Sequence, residues 1–241
     1  MNESASFDSL NVDQAIKFAK TFAGSEYSNE LEQVLRVALT DKRNLPALRF
    51  DQKELIKLEE YIERWVQAFL KGYNNRPSVK RGNKSATFPD PIVKLALETR
   101  LGSELEDGQS DLIEAGHSLM MTIENLIGDL LEEYLSLKLN ENNWFCCWGS
   151  TIDAVDFIKP DGSLIQIKNS DNSENSSSSR VRNNTTIQKW KRRKSSKADT
   201  FYWDELNQIL DRSDLSEESF REFVKNTIER NPDCLYFEGF N

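Results

Sequence analysis

Two short apolar runs flank the sequence KPDGS at residues 159–163. A Pro-Asp-Gly cluster between β-branched residues predicts a β-hairpin. Because side chains alternate across a strand, a turn centred in this cluster places Asp156 opposite Gln166. Lys168 is then expected on the same face as these two residues, and the apolar side chains on the other face point into a core.

This face brings together a carboxylate, an amide oxygen and an ammonium group. Such a set suits metal-assisted attack on a phosphodiester: Asp156 and Gln166 are the expected metal ligands, and Lys168 would orient the attacking water or stabilise negative charge. A Mg²⁺ ion needs few protein oxygens because it keeps several waters. The same residue types also occur on the solvent face of ordinary edge hairpins, so the spacing alone leaves both interpretations open.

A resemblance to a known family adds to this reading. Asp156 with Gln166-Ile167-Lys168 is similar to the PD-(D/E)XK nuclease signature, in a variant with Gln at the acidic position. The run AVDFIKPDGSLIQIKNSDNSENSSSSRVR, with IQKWKRR and FYWDELN downstream, resembles the SinI-like family of type II restriction endonucleases. The resemblance covers residues 117–236. Val155 stands where that signature has Pro.

The resemblance implies an α/β fold in which helices flank a small mixed sheet. It implies a Mg²⁺-dependent enzyme that cuts both strands of double-stranded DNA at a short, near-palindromic site of the GGWCC type. A near-palindromic target would be matched by a two-fold homodimer. The alternative is a non-catalytic DNA-binding protein with a degenerate nuclease fold, in which Gln166 marks the lost site.

The charge distribution fits a nucleic-acid partner. The net charge is −9, yet residues 175–198 contain eight basic and no acidic residues, which leaves −17 on the rest of the chain. One basic face could meet phosphates while the acidic remainder limits non-specific binding. A disordered basic loop is the competing interpretation of this Ser/Asn-rich region.

The residues after the hairpin are candidates for DNA contacts. Arg180 and Arg182, two apart on an extended chain, are predicted to read guanine, with phosphate contact as the alternative. Residues 185–194 predict a short basic helix that contacts phosphate, with Trp190 anchored in the core. The remaining candidates are Asn169, Ser170, Asp171 and Asn172 in the polar segment, and Lys189, Lys191, Arg192 and Arg193 in the basic one.

A long helix is predicted from Asp111 to about Leu139, with Ser110 as its cap. In PD-(D/E)XK nucleases the element before the hairpin is a helix that often supplies another carboxylate. The resemblance therefore makes Glu124 and Glu132 candidates. Glu124 is preferred, because Glu132 beside Glu133 resembles a solvated acidic pair.

The organisation predicted for the chain is an N-terminal helical region (1–72), a loop or linker (73–90) and a nuclease and DNA-recognition domain (91–241). Helices are predicted over residues 11–23 and 29–39, and a third begins with a capping pattern at 51–54. Further helices are predicted from Asp204 and Ser216. Residues 234–237 are predicted as a strand that joins the sheet.

Other chemistry is disfavoured by composition. Three cysteines without CxxC spacing are predicted as buried thiols, and the single histidine, His117, is given a structural role. No apolar run approaches the roughly 20 residues of a membrane span, and the N-terminus lacks a secretory signal pattern. A cytoplasmic protein is expected.

Overall fold

The structure is a computed structural model that describes residues 11–48, 57–82, 91–102, 104, 106, 108–171 and 187–236. Helices surround a small sheet. The helices are α1 (Val12–Ala23), α2 (Asn29–Thr40), α3 (Leu58–Asn74), α4 (Pro91–Leu101), α5 (Gln109–Leu139), α6 (Trp203–Leu210) and α7 (Glu217–Arg230). The strands are β1 (Phe145–Cys146), β2 (Phe157–Ile158), β3 (Leu164–Ser170) and β4 (Ile187–Arg193). The predicted fold class is confirmed.

The sheet has the strand order β1-β2-β3-β4, with the first three strands antiparallel and β4 parallel to β3. Strands β2 and β3 form the predicted hairpin, in which Phe157 pairs with Ile165. Its turn is closed by a hydrogen bond from the Lys159 N–H to the Ser163 carbonyl at 3.0 Å. The ladder does not continue to the expected pair of Asp156 with Gln166, because the Asp156 backbone N–H donates to the Ile165 carbonyl at 2.9 Å.

A short basic helix was predicted over residues 185–194. This prediction is wrong for residues 187–193, which form strand β4, and residues 185 and 186 lie outside the described chain. The segment offers only Ile187 and Trp190 as large apolar side chains, too few for a helix that needs an apolar face to be stable. The edge of β3 instead supplies backbone partners along its whole length. Trp190 is anchored in the core as predicted, and its indole N–H donates to the Tyr202 carbonyl at 2.7 Å.

The end of the chain also differs from expectation. Residues 232–234 form a 3₁₀ turn, and the predicted strand is wrong for residues 234–236; the residue after them lies outside the described chain. The Asn231 side chain donates to the carbonyls of Pro77 and Lys80, each at 2.8 Å. The loop after α3 therefore holds this end of the chain.

The N-terminal helices form as predicted. The side chain of Asn11 caps α1 and that of Ser28 caps α2, each accepting a backbone hydrogen bond three residues on. Helix α3 is described from Leu58, and the predicted capping pattern at residues 51–54 lies outside the described chain.

These helices share one apolar core with the sheet. On α2, a Glu30 carboxylate oxygen accepts hydrogen bonds from the Cys146 backbone N–H at 3.2 Å and from the Trp148 indole N–H at 3.1 Å. On α3, the Trp65 indole N–H donates to the Thr151 carbonyl at 2.8 Å. The segment that leads into the hairpin is thus fixed from both helices.

Two glycines let α3 cross that segment closely. A Cβ atom on Gly72 would lie 2.2 Å from the Gly149 nitrogen, and one on Gly149 would lie 2.1 Å from the Ala68 carbonyl oxygen. Gly149 also has a φ of +71°, which favours glycine. This backbone-to-backbone contact sets the path of the chain between β1 and Asp156.

Helix α5 confirms the predicted long helix but begins at Gln109, so Ser110 does not cap it. The Ser110 hydroxyl instead donates to Glu98 of α4 at 3.1 Å. Helix α4 has no counterpart among the predicted helices, because its apolar residues occur on all sides without an amphipathic period. The second half of α5 packs against β1 and β3 and carries the core contacts of this helix.

Candidate active site

Asp156 lies immediately before β2, where the two strands of the hairpin diverge. Its carboxylate Oδ2 accepts a hydrogen bond from the Ile167 backbone N–H at 2.7 Å. Burial raises the pKa of this carboxyl to about 6, while the Ile167 hydrogen bond and the Lys168 charge act in the opposite direction. A carboxylate that has lost this much solvation gains strongly from a cation nearby.

Gln166, which precedes the Ile167 that binds the Asp156 carboxylate, is buried with 7% of its surface exposed. Its side-chain Oε1 has no hydrogen-bond partner among the residues that the structure describes. Buried polar atoms are nearly always satisfied, so an unsatisfied amide oxygen beside a desolvated carboxylate marks an acceptor site for a cation or a donor.

Lys168 follows on the same face of β3, half-buried. Burial lowers the pKa of its ammonium group, and the charge of Lys189 lowers it further, whereas Asp156 raises it. The mutual influence of Lys168 and Asp156 shows that the two charges face each other. The hairpin thus brings together the three groups that were predicted from spacing.

A fourth group comes from α5. Burial raises the pKa of Glu132 well above its usual range, and the charges of Asp156 and Asp129 raise it further, while Lys80 lowers it. Glu132 is therefore close enough to Asp156 for the Asp156 charge to affect its pKa. Glu124 is exposed and lies two helical turns earlier, roughly 12 Å along the axis.

The interpretation of Glu132 and Glu133 as a solvated pair is wrong. Glu133 is only 2% exposed and accepts hydrogen bonds from the Ser78 backbone N–H, at 3.0 Å, and from the Ser78 hydroxyl. A signal for this was present in the sequence, since Leu130 and Leu131 directly precede the two glutamates and Tyr134 and Leu135 directly follow them. A carboxylate within that stretch must meet a partner on another element.

Strand β4 gives the basic segment an alternating pattern. In the parallel register Gln166 pairs with Lys189 and Lys168 with Lys191, while Ser170 pairs with Arg193. The three basic side chains of β4 therefore lie on the same face as Gln166 and Lys168. This basic face adjoins the candidate catalytic groups.

Arg192, on the opposite face of β4, is buried with 7% of its surface exposed. Its guanidinium donates to both carboxylate oxygens of Glu217 at 2.7 and 2.8 Å and to Asn169 Oδ1 at 2.9 Å. These contacts tie β4 and β3 to α7. The predictions that Arg192 and Asn169 contact DNA gain no support from this arrangement.

The polar segment after β3 is described as far as Asp171. Its carboxylate accepts a hydrogen bond from the Ser195 backbone N–H at 2.7 Å and lies 3.5 Å from Lys191. The Ser195 hydrogen bonds lower the pKa of Asp171 to about 2, and Lys191 acts in the same direction. Ser170 is half-buried at the end of β3. Asn172, Arg180 and Arg182 lie outside the described residues.

The remaining candidates behave as structural or surface groups. Cys146, Cys147 and Cys234 are buried free thiols, as predicted. His117 is exposed on α5, away from the hairpin. Within the described ranges, no helix combines the length and apolar character needed to cross a bilayer.

The donor set suits a hard divalent cation. The described part of the chain holds no group of three or more His, Cys, Asp and Glu side chains that could bind a metal. Two carboxylates and one amide oxygen are available instead, from Asp156, Glu132 and Gln166. All are oxygen donors, and a Mg²⁺ ion that keeps several waters needs no more.

A mixed sheet flanked by helices, with these groups at a hairpin, is consistent with a restriction-endonuclease fold. The chain belongs to the SinI restriction endonuclease family, whose family model matches residues 15–230. Similar proteins include the type II restriction enzyme Eco47I of Escherichia coli, 40% identical over 175 residues, which cover 70% of this chain and 73% of the relative. The type II restriction enzyme SinI of Salmonella infantis is 38% identical over 176 residues, 71% of this chain and 74% of the relative.

Type II restriction enzymes are site-specific DNA endonucleases. Because the family match spans most of the chain, this protein is an enzyme of that class.

Proposed function

We propose that this endonuclease depends on Mg²⁺, held by Asp156, Gln166 and Glu132, and hydrolyses the scissile phosphodiester by in-line displacement with Lys168 beside the phosphate. The buried Gln166 Oε1 carries the proposal, since it lacks a hydrogen-bond partner among the described residues. It lies on the strand that presents Lys168, one residue before the Ile167 N–H that binds the raised-pKa carboxyl of Asp156.

Each residue has a separate task in this mechanism. When bound, a divalent cation neutralises phosphate charge and lowers the pKa of the attacking water. Gln166 contributes a neutral oxygen, so that two carboxylates balance the double charge of the ion without a third negative group. Lys168 donates hydrogen bonds to the phosphate oxygens or to the attacking water and stabilises negative charge as it develops.

For the helix carboxylate we propose Glu132 in place of Glu124. The effect of the Asp156 charge on the pKa of Glu132 supports this choice, because it requires that the two carboxyl groups lie close together. Two carboxylates that lie close together and are poorly solvated repel each other when both are ionised. A divalent cation between them would remove that repulsion.

For DNA contacts we propose Lys189, Lys191 and Arg193, supported by their shared face with Lys168 on the parallel register of β4. Such contacts would be to phosphate and would place the backbone beside the catalytic groups. Arg180 and Arg182 remain proposed readers of guanine, on the sequence pattern alone.

For the target we propose a short near-palindrome of the GGWCC type, cut by a homodimer in which each copy cleaves one strand. The family membership supports this proposal. Two-fold symmetry of the protein would then match two-fold symmetry of the site. The DNA substrate would place this activity in the cytoplasm.

The test uses plasmid DNA with and without a GGWCC site, incubated with Mg²⁺ or with EDTA. We expect discrete fragments only from the plasmid with a GGWCC site and only in Mg²⁺. The Lys168→Ala variant should produce no such fragments. Lys159→Ala is the matched control, because Lys159 lies on the same hairpin and its ammonium group is 3.8 Å from the Asp161 carboxylate at the turn.

Two results would reject the proposal. A gel mobility shift without cleavage under any divalent metal would indicate the alternative, a DNA-binding protein with a degenerate site at Gln166. Cleavage that persists in EDTA would reject the metal dependence.

A further inference from the structure

Asp171, the first residue after β3, contacts two parts of the basic segment with one carboxylate. Its Oδ1 accepts a hydrogen bond from the Ser195 backbone N–H at 2.7 Å, and its Oδ2 lies 3.5 Å from the Lys191 ammonium nitrogen. Hydrogen bonds from Ser195 lower the pKa of this carboxyl to about 2, so the group is ionised at neutral pH. Asp171 therefore joins the end of β3 to the turn that follows β4.

This turn, here called the β4 turn and defined as residues 194–199, is an exposed feature with a closed base. The Lys194 backbone N–H donates to the Thr200 carbonyl at 3.0 Å, and the residues of the turn after Lys194 are exposed. Because one carboxylate contacts both Ser195 and Lys191, the β4 turn lies beside the basic face of β4.

The β4 turn continues the basic face away from the catalytic groups. This face runs along β4 from Lys189, which pairs with Gln166, to Arg193 at the start of the turn. Residues 187–198 contain six basic and no acidic side chains. Lys197, exposed in the turn, is therefore placed to extend a row of phosphate contacts.

The charge of Asp171 opposes DNA binding on such a surface. The carboxylate repels phosphates and competes with them for the Lys191 ammonium group. If charge alone mattered, removal of Asp171 would strengthen DNA binding. If the hydrogen bond to the β4 turn matters more, removal would weaken binding although a negative charge is lost. The two effects have opposite signs, so an experiment can separate them.

We propose that Asp171 is a positioning residue, which holds the β4 turn against the end of β3 so that Lys197 contacts a DNA phosphate beyond Arg193. The inference rests on the proposed phosphate contacts of β4, which it extends by one. It replaces the predicted DNA contact of Asp171 with an indirect role, in which the carboxylate acts through the turn.

The test compares two substitutions of Asp171 by fluorescence anisotropy, on a duplex with a GGWCC site and on a scrambled duplex, with Ca²⁺ in place of Mg²⁺. Asp171→Ala should bind both duplexes more weakly, each by about 3-fold or more. Asp171→Asn keeps an oxygen acceptor for the Ser195 N–H and loses the negative charge. It should therefore bind both duplexes at least as tightly as the wild-type protein.

A second set of variants shows whether Asp171 acts through the β4 turn. Lys197→Ala should weaken binding to both duplexes and reduce the slope of log K against log salt by about one. The double variant Asp171→Ala/Lys197→Ala should bind no more weakly than Lys197→Ala, because the same contact is lost in both proteins.

Asp161→Ala is the matched control for the removal of a carboxylate. Asp161 likewise accepts a serine backbone N–H, from Ser163 at 2.9 Å, and lies 3.8 Å from a lysine, Lys159. It precedes β3, whereas Asp171 follows it, so the length of the strand separates it from the β4 turn. Asp161→Ala should therefore not weaken DNA binding.

Five results would each overturn the inference. Unchanged or tighter binding by Asp171→Ala would mean that the carboxylate acts only through its charge, and equal losses in Asp171→Ala and Asp171→Asn would exclude the hydrogen bond as the cause. A loss confined to the GGWCC duplex would mean that Asp171 reads a base. A double variant weaker than Lys197→Ala would show that Asp171 does not act through Lys197, and an equal loss in Asp161→Ala would show a general effect.

Failure of the proposed function would appear in other variants. Undiminished DNA binding by Lys189→Ala would reject the proposed contacts of β4 itself, and cleavage unaffected by Lys168→Ala would reject the proposed catalytic site. Neither result alters the comparison of Asp171→Ala with Asp171→Asn, because that comparison measures binding and requires no cleavage.

Discussion

The Asp156 carboxylate and the Ile167 backbone N–H are joined by a hydrogen bond of 2.7 Å that crosses the hairpin. Ile167 stands between Gln166 and Lys168, so this bond fixes the carboxylate relative to both. The three groups are therefore positioned before any ligand binds. Such preorganisation is what a site needs in order to stabilise charge that develops during a reaction.

This arrangement costs stability when Asp156 is ionised. Its pKa rises from 3.8 to about 6, so the folded state binds a proton more tightly than the unfolded state and stability falls as pH rises between these values. The shift corresponds to about 3 kcal/mol. Without divalent metal, Asp156→Asn should therefore raise the melting temperature at pH 8, and the gain should shrink towards pH 4.

Calorimetry at both pH values checks this prediction, and Asp161→Asn is its control. Asp161 is exposed in the same hairpin and its pKa is lowered by hydrogen bonds from Ser163, so this substitution should bring no gain. Cleavage by Asp156→Asn should fall by about 10²-fold or more, since a metal ligand is lost. Equal stability of Asp156→Asn and wild type at pH 8 would contradict the burial argument.

The two candidate carboxylates of α5 can be separated by kinetics. Glu132→Gln should reduce cleavage by about 10- to 100-fold and raise the Mg²⁺ concentration needed for half-maximal rate, because one charged ligand is removed. Glu124→Gln should leave both quantities unchanged, since Glu124 is exposed about 12 Å away along the helix. Initial rates measured over a range of Mg²⁺ concentrations distinguish the two variants. If Glu124→Gln were impaired and Glu132→Gln were not, Glu124 would be the helix carboxylate.

Activity should depend on pH through the same pair. Both carboxyl groups must be deprotonated to hold a cation, and the pKa of each is raised. Cleavage should therefore fall as pH drops through about 6, with a slope steeper than that of one group because the two titrations are coupled. Saturating Mg²⁺ should move the fall to lower pH, since metal competes with protons. Initial rates from pH 5 to 8 at two Mg²⁺ concentrations provide the check, and a flat profile would be inconsistent with these ligands.

Side chains alternate along β4, so that one face is proposed to bind DNA and the other contributes to stability. Lys189 tests the role of the first face in DNA binding. Lys189→Ala should weaken binding of specific and random DNA by the same factor and reduce the slope of log K against log salt by about one. Fluorescence anisotropy in Ca²⁺ over a range of salt measures this, with Lys159→Ala as the control. A loss confined to the specific site would mean that Lys189 reads a base.

The hairpin was predictable because its determinants are local. Turn formers at 159–163 fix the pairing of Phe157 with Ile165, and this pairing brings Asp156 beside the strand that carries Gln166 and Lys168. Strand β4 was not predictable in this way. Its parallel partner β3 is not joined to it by a short turn, and basic residues on both of its faces hide the alternation of apolar and polar residues that marks a strand. The choice between Glu124 and Glu132 likewise depends on how α5 packs on the sheet. The periodicity of the helix does not give this packing.

The buried pair of Arg192 and Glu217 tests the structural face of β4. Arg192→Ala removes the buried guanidinium whose Nη1 donates to both Glu217 oxygens, and leaves that carboxylate with Trp203 and Arg221 as partners. The free energy of unfolding should fall by about 3 kcal/mol. Arg221→Ala is the matched control, because Arg221 contacts the same carboxylate at 3.1 Å but its side chain is 69% exposed, so its loss should cost at most about 1 kcal/mol. Urea denaturation measures both values. Similar losses for the two variants would show that Arg192 is not the anchor of β4, and its predicted role in DNA binding would then need to be tested directly.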